Sequence, residues 1–121
     1  MTATLIDTNV CLAISFDAHP GHALARQAFQ DTPGSDPWLW CRATQQSYLR
    51  LMATPALHRA YGSPPLSNRD ARASLDVLLA HTRILVADEP AGVSELWLQL
   101  ADHPRPAPKL WMDAYLSLIH I

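Results

Sequence analysis

Three short apolar runs, each ending against polar residues and separated from the next by helix-period segments, constrain this chain more than any other feature. The first is Ala3-Thr4-Leu5-Ile6, which stops at Asp7. The second is Trp38-Leu39-Trp40-Cys41, and the third is Ile84-Leu85-Val86. Their length and β-branched or aromatic content read as buried strands. Helices are predicted over 10–14, capped by Thr8 or Asn9, and over 22–30, with Leu24, Ala25, Ala28 and Phe29 on one face. A third is predicted over 45–53, with Thr44 as N-cap and Pro55 as terminator. Ser67 and Asp70 have capping-box spacing before a helix that presents Ala71, Leu75, Leu78 and Leu79. Val93, Leu96, Trp97 and Leu100 repeat at i, i+3, i+4 and i+7, and helical character resumes at 110 after Pro104, Pro106 and Pro108. The stretch from Pro55 to Pro65 reads as a connector. Strands alternating with helices imply an α/β domain with a mostly parallel sheet.

Composition narrows the function classes. A chain of 121 residues with 49% hydrophobic and 17% charged residues has the makings of one cored domain. Its four Gly form neither GxGxxG nor GxxxxGK, which argues against a dinucleotide or P-loop site. No apolar run approaches the ~18 residues of a membrane span, and Asp7 and Asn9 break the only N-terminal candidate for a leader. Cys11 and Cys41 lack zinc-site spacing and read as free buried thiols in a reducing cytoplasm. Six Arg against Asp70 and Asp76 make residues 42–83 net +4, while the rest of the chain is net −6. Such a pattern suits a polyanion beside a carboxylate-bound cation, and equally suits ordinary solvated helix faces.

Two carboxylates stand out. Asp7 follows a strand, and ligands in α/β sheets gather outside the carboxyl ends of strands. It is either a ligand there, with Asn9 two residues on to orient it, or simply the cap of the next helix. Asp113 sits among Leu110, Trp111, Ala114 and Tyr115, where an unpaired carboxylate is costly to bury. It either caps the last helix or binds a cation. Converging, the two would make a hard-oxygen site for Mg²⁺ or Mn²⁺. His19 and His22 flank a Pro-Gly turn and lack further ligands. The remaining histidines, His58 among them, read as surface residues, and the four Trp read as core. No GxSxG elbow is present. Lys109, the only Lys, lies in a Pro-rich linker, which argues against a phosphoacceptor domain built on Asp7.

The ordered segments Leu5-Ile6-Asp7-Thr8-Asn9-Val10, Asp17-Ala18-His19-Pro20, Cys41-Arg42-Ala43-Thr44-Gln45-Gln46-Ser47-Tyr48-Leu49-Arg50-Leu51, Thr54-Pro55-Ala56 and Lys109-Leu110-Trp111-Met112-Asp113-Ala114-Tyr115-Leu116 together resemble the VapC-type ribonuclease toxins of the PIN-domain family. The likeness runs over about residues 3–116. It implies a PIN-like α/β/α sandwich in a single domain, 1–121. It implies a Mg²⁺-dependent endoribonuclease, the toxin half of a type II toxin–antitoxin pair, cytoplasmic, homodimeric and inhibited by a VapB-like antitoxin. Asp7 matches the first metal-binding Asp of the family and Asp113 the Asp of its DAY motif. Asn9 and Thr8 would organise the metal's surroundings, Gln45 would position water, and Arg50 would engage phosphate.

Two departures qualify the likeness. Many relatives carry Glu where this chain has Gln45, so the expected site has fewer anionic ligands and holds one metal. Relatives also continue past the DAY motif with more helix, a strand and a further acidic residue. Residues 116–121 match one reading frame of a common transposase-end sequencing adapter. The expectation is therefore a C-terminally truncated domain with non-native sequence over 116–121. The alternative function is a catalytically impaired module of the same fold that binds antitoxin or RNA without cutting.

Overall fold

The computed structural model describes residues 4–120. In chain order the elements are β1 (Thr4–Leu5), α1 (Thr8–Ser15), α2 (His22–Asp31), β2 (Trp38–Cys41), α3 (Arg42–Met52), α4 (Pro55–Ala60), α5 (Asn68–Leu79), β3 (Ile84–Ala87), α6 (Val93–Leu100) and α7 (Leu110–His120). The strands form one sheet in the order β1-β2-β3. β1 and β2 run parallel, with Thr4 opposite Trp38 and Leu5 opposite Leu39. The Trp38 amide donates to the Arg83 carbonyl at 2.8 Å, at the entrance to β3. This is the α/β class with a parallel sheet that the alternation of elements implied. Residue 3 of the first expected strand lies outside the described residues.

The chain divides into two compact units, the first running to Val86 and the second starting at Ala87. The core of the first is built on β2 and α3. Trp40, Cys41 and Tyr48 have no exposure, and Ile6, Leu12, Met52, Ala71 and Ile84 complete the cluster. Trp40 and Tyr48 meet edge to face at 5.1 Å and 78°, a favoured aromatic geometry. Both cysteines are free and buried, as expected.

Three local expectations need correction. α3 begins at Arg42 with Cys41 as N-cap, because the Thr44 hydroxyl donates back to the Cys41 carbonyl at 3.1 Å and does not cap. Pro55 does not only end a helix; it opens α4 from its first turn, where a missing N–H and a fixed φ are no handicap. His58 is buried, not on the surface. Its Nδ1 pairs with the Ser63 hydroxyl at 3.1 Å and its Nε2 with the Met52 carbonyl. Both ring nitrogens are thus satisfied, which is what allows an imidazole inside. The capping box is present as expected: Ser67 Oγ accepts from the Asp70 amide, and the Asp70 carboxylate accepts from the Ser67 amide.

α2 has no fully buried residue. Arg83 secures it: the guanidinium lies 4.5 Å over the Phe29 ring and donates to the Phe29 carbonyl at 2.7 Å and to the Thr32 carbonyl.

In the second unit α6 packs on α7. Trp97 links them, its indole N–H donating to the Trp111 carbonyl at 2.6 Å and its ring standing edge-on to Trp111 and Tyr115. The Tyr115 hydroxyl donates to Glu89 at 2.6 Å. Val93, Ala101, Ala114, Leu118 and Ile119 are buried. The expectation that all four Trp are core fails at Trp111, which is 51% exposed. The apolar residues of α7 surround its axis, so one side of the helix must leave some of them outside.

Candidate active site

Asp7 lies two residues beyond β1 and keeps extended backbone, φ −96° and ψ 176°, before the chain turns into α1. Its carboxylate Oδ1 accepts the Val10 amide at 3.0 Å, so Asp7 is the N-cap, not Thr8 or Asn9. Asp is among the strongest N-cap residues and outranks Thr, a signal available in the sequence. The side chain is exposed, and its other oxygen has no hydrogen-bond partner among the described residues. Capping therefore uses one oxygen and leaves one, so the two readings of Asp7 are compatible.

Asn9 is exposed and makes no hydrogen bond to Asp7 among the described residues; the Val10 amide does the orienting. The Thr8 hydroxyl donates to the Thr44 carbonyl at 3.4 Å, a long bond that brings the starts of α1 and α3 together. One residue on, the Gln45 amide donates from Nε2 to the Trp40 carbonyl at 3.0 Å. A carbonyl can only accept, so this place asks for a donor, and an ionised Glu would oppose oxygen to oxygen.

A polar chain fixes α1 on α3. The Ser15 hydroxyl spends its proton on the Cys11 carbonyl at 2.8 Å and so accepts from the Tyr48 hydroxyl, also at 2.8 Å. Burial, and secondarily the nearby Cys11, push the Tyr48 phenol up, against the opposing effect of its bond to Ser15. Burial, and then the Asp7 carboxylate, push the Cys11 thiol up to about 12. Thiolate is the ligating form of cysteine, so Cys11 stays protonated and Asp7 has no sulfur competitor for a cation. His19 and His22 serve the backbone instead of a metal: His19 Nδ1 accepts the Gly21 amide at 2.9 Å, and His22 Nδ1 donates to the Ala13 carbonyl at 2.6 Å.

Asp113 lies in the first turn of α7, in the second unit. Its amide donates to the Lys109 carbonyl at 3.1 Å. Its carboxylate is exposed and has no hydrogen bond or ion pair among the described residues. The structure thus brings Asp7, Thr8 and Gln45 to one region of the first unit, while Asp113 belongs to the second. Among the described residues no three His, Cys, Asp or Glu side chains are grouped to hold a metal ion. The donors that are available, one free oxygen on Asp7 and a free carboxylate on Asp113, are hard oxygens of the kind Mg²⁺ accepts while keeping most of its water.

No family model matches the chain. Ribonuclease VapC41 of Mycobacterium tuberculosis, from strains CDC 1551 / Oshkosh and ATCC 25618 / H37Rv, is 45% identical over 115 residues, covering 93% of this chain and 78% of the relative. Among solved structures, the chain is similar to Mycobacterium tuberculosis VapC20, a sarcin-ricin loop cleaving toxin. That likeness has a TM-score of 0.63 and 18% identity over 98% of this chain and 80% of the other, and it shows a shared PIN-like α/β fold. Identity of 45% across nearly the whole chain shows more than fold: the protein belongs to the VapC family of ribonucleases.

Proposed function

We propose that the protein is a Mg²⁺-dependent endoribonuclease, the toxin of a type II toxin–antitoxin pair, in which Asp7 and Asp113 are the metal ligands. The 45% identity with Ribonuclease VapC41 carries this reading. The free oxygen of Asp7 and the unpaired carboxylate of Asp113 support it. A divalent ion there, Mg²⁺ with Mn²⁺ as a substitute, supplies Lewis acidity that lowers the pKa of water and offsets charge on the phosphoryl group. The residues divide the remaining work. The Val10 amide fixes the Asp7 carboxylate, leaving its second oxygen for the ion. Gln45, tied to the Trp40 carbonyl by its NH₂, keeps a carbonyl oxygen to accept from water. Asn9 supplies a second polar group beside Asp7, and Arg50 faces solvent with a guanidinium suited to phosphate. In this reading the chain acts in the cytoplasm as a homodimer and is held inactive by a VapB-like antitoxin.

The test is cleavage of a mixed RNA pool with Mg²⁺, with Mn²⁺ and with EDTA, by the parent chain and by Asp7→Asn and Asp113→Asn. Expected is metal-dependent cleavage that falls by about a hundredfold or more in each variant, since several kcal/mol of charge stabilisation is lost. Asn caps as well as Asp, so the circular dichroism of Asp7→Asn stays that of the parent. Unchanged cleavage by Asp7→Asn removes that residue from the chemistry. RNA binding by the parent without any cleavage identifies the non-cutting module instead, a reading that the amide at Gln45 favours.

A further inference from the structure

We propose that a depression in the second unit is a base-stacking subsite for single-stranded RNA, in which Trp111 carries a nucleobase and Arg105 the adjoining phosphate. The proposal rests on the ribonuclease reading above and adds to it the part of the substrate that is recognised. The depression measures about 410 Å³ and is formed by the 101–108 segment and Trp111. That is within the range of small-ligand sites.

Three observations point to a nucleotide. First, Trp111 is 51% exposed, although it is the largest side chain of α7. Its main chain is anchored by the Trp97 indole N–H, which donates to the Trp111 carbonyl, and its ring is braced on one side by the Trp97 ring, edge-on at 6.0 Å and 65°. A fixed ring with a bare surface is a stacking platform whose ordering does not have to occur on binding. Second, Arg105 lines the depression with Asp102 as the one carboxylate beside it, and Lys109 follows just outside, so the 102–109 segment is net positive. The Arg105 side chain is exposed and has no hydrogen bond or ion pair among the described residues. Third, Pro104, Pro106 and Pro108 restrict the loop, and His103 Nδ1 lies 3.1 Å from both the amide and the carbonyl of Arg105, which ties the two residues together. An exposed guanidinium on a proline-restricted loop against an aromatic ring is the combination by which unpaired bases and their phosphates are bound. Trp111 precedes Asp113 by two residues in the first turn of α7. A helix is only ~10–12 Å across with its side chains, so a base on Trp111 would lie within a nucleotide or two of the Asp113 carboxylate.

The experiment is equilibrium binding of a fluorescein-labelled single-stranded RNA decamer, and of the same decamer as a duplex, in EDTA at several salt concentrations. The full chain is compared with Trp111→Ala, Trp111→Phe and Arg105→Ala. Trp111→Ala weakens single-strand binding about tenfold, Trp111→Phe restores most of it, and the duplex binds less well than the single strand. Arg105→Ala weakens binding and lowers the slope of log affinity against log salt by about 0.7. Should Trp111→Ala fail to fold, Trp111→Phe and Arg105→Ala decide: parent-like affinity with an unchanged salt slope in Arg105→Ala overturns the subsite. Parent-like RNA affinity in Trp111→Ala also overturns it, and loss of self-association in the same variant would assign the ring to a protein contact. A parent chain that neither binds nor cuts RNA overturns the ribonuclease reading itself, whereas one that cuts while Trp111→Ala binds normally overturns the subsite alone.

Discussion

The unit that carries Asp7 and the unit that carries Asp113 hold their carboxylates in different ways. Asp7 stands at the rim of a closed core: its cap bond to Val10, the Thr8–Thr44 bond and the Tyr48–Ser15–Cys11 chain tie α1 to α3 over Trp40 and Tyr48, both without exposure. Asp113 stands on a helix pair that has aromatic edges between its members and Val93, Ala114, Leu118 and Ile119 buried, but leaves Leu96, Leu98, Leu100 and Trp111 exposed. A carboxylate of the first kind inherits the rigidity of a cooperative core. One of the second kind inherits that of a helix pair with no strand beneath it among the described residues from 88 on, and with several large apolar side chains left in solvent.

Substitutions can break or sharpen this contrast. The largest effect is expected at Trp40→Ala, about 3–5 kcal/mol of unfolding free energy by denaturant titration, against well under ~1 kcal/mol for the exposed Trp111→Ala. Equal values would erase the distinction between the units. Gln45→Glu, which sets a carboxylate against the Trp40 carbonyl, is expected to destabilise by about 1–3 kcal/mol at pH 7 and by less at pH 4, where the new side chain can be protonated and donate. Stability that is the same at both pH values would dismiss the proposed oxygen–oxygen conflict. Asp7→Ala removes the N-cap at a cost of ~1 kcal/mol while Asp7→Asn stays within a few tenths, so the pair separates a structural from a chemical loss at one position. Tyr115→Phe, which removes the exposed bond to Glu89, is expected to cost no more than ~1 kcal/mol.

The smallest effect is in the alkaline range. The Cys11 thiol is pushed up to about 12 from its ordinary 9. A raised folded-state value means the folded form holds its proton more tightly. The associated stability is complete below pH 9 and is lost as pH climbs toward 12. Cys11→Ala should flatten that part of the stability profile, and iodoacetamide should leave the native thiol unlabelled at pH 8. Rapid labelling there would mean that α1 opens readily, and would remove the rigidity assigned to the surroundings of Asp7.

Much of this was legible in the chain. The three strands, the capping box at Ser67 and Asp70, and the apolar stripe of α6 each follow from local chemistry that tertiary packing did not override. Asp7 stood out because it ends a strand, and Asp113 because it interrupts an apolar helix. What stayed hidden was how polar atoms share partners. Thr44 has the composition of an N-cap, yet its hydroxyl donates to Cys41, and α3 begins three residues early. Pro55 reads equally as a stop and as a first turn. His58 has an inside partner at each nitrogen only because α4 folds back, and no spacing announces that. The exposure of Trp111 was missed because an apolar run predicts burial on average and says nothing about which side of a helix is left uncovered.

Arg83 carries a final consequence. Its bonds to α2 end on the carbonyls of Phe29 and Thr32, groups that every amino acid possesses, and only the Phe29 ring adds a side-chain term. An anchor addressed to the main chain is indifferent to what most of that helix displays to solvent. The outward positions Leu24 and Arg26 are accordingly free to drift, and the solvent face of α2 can be rewritten over generations without unfastening it from the protein.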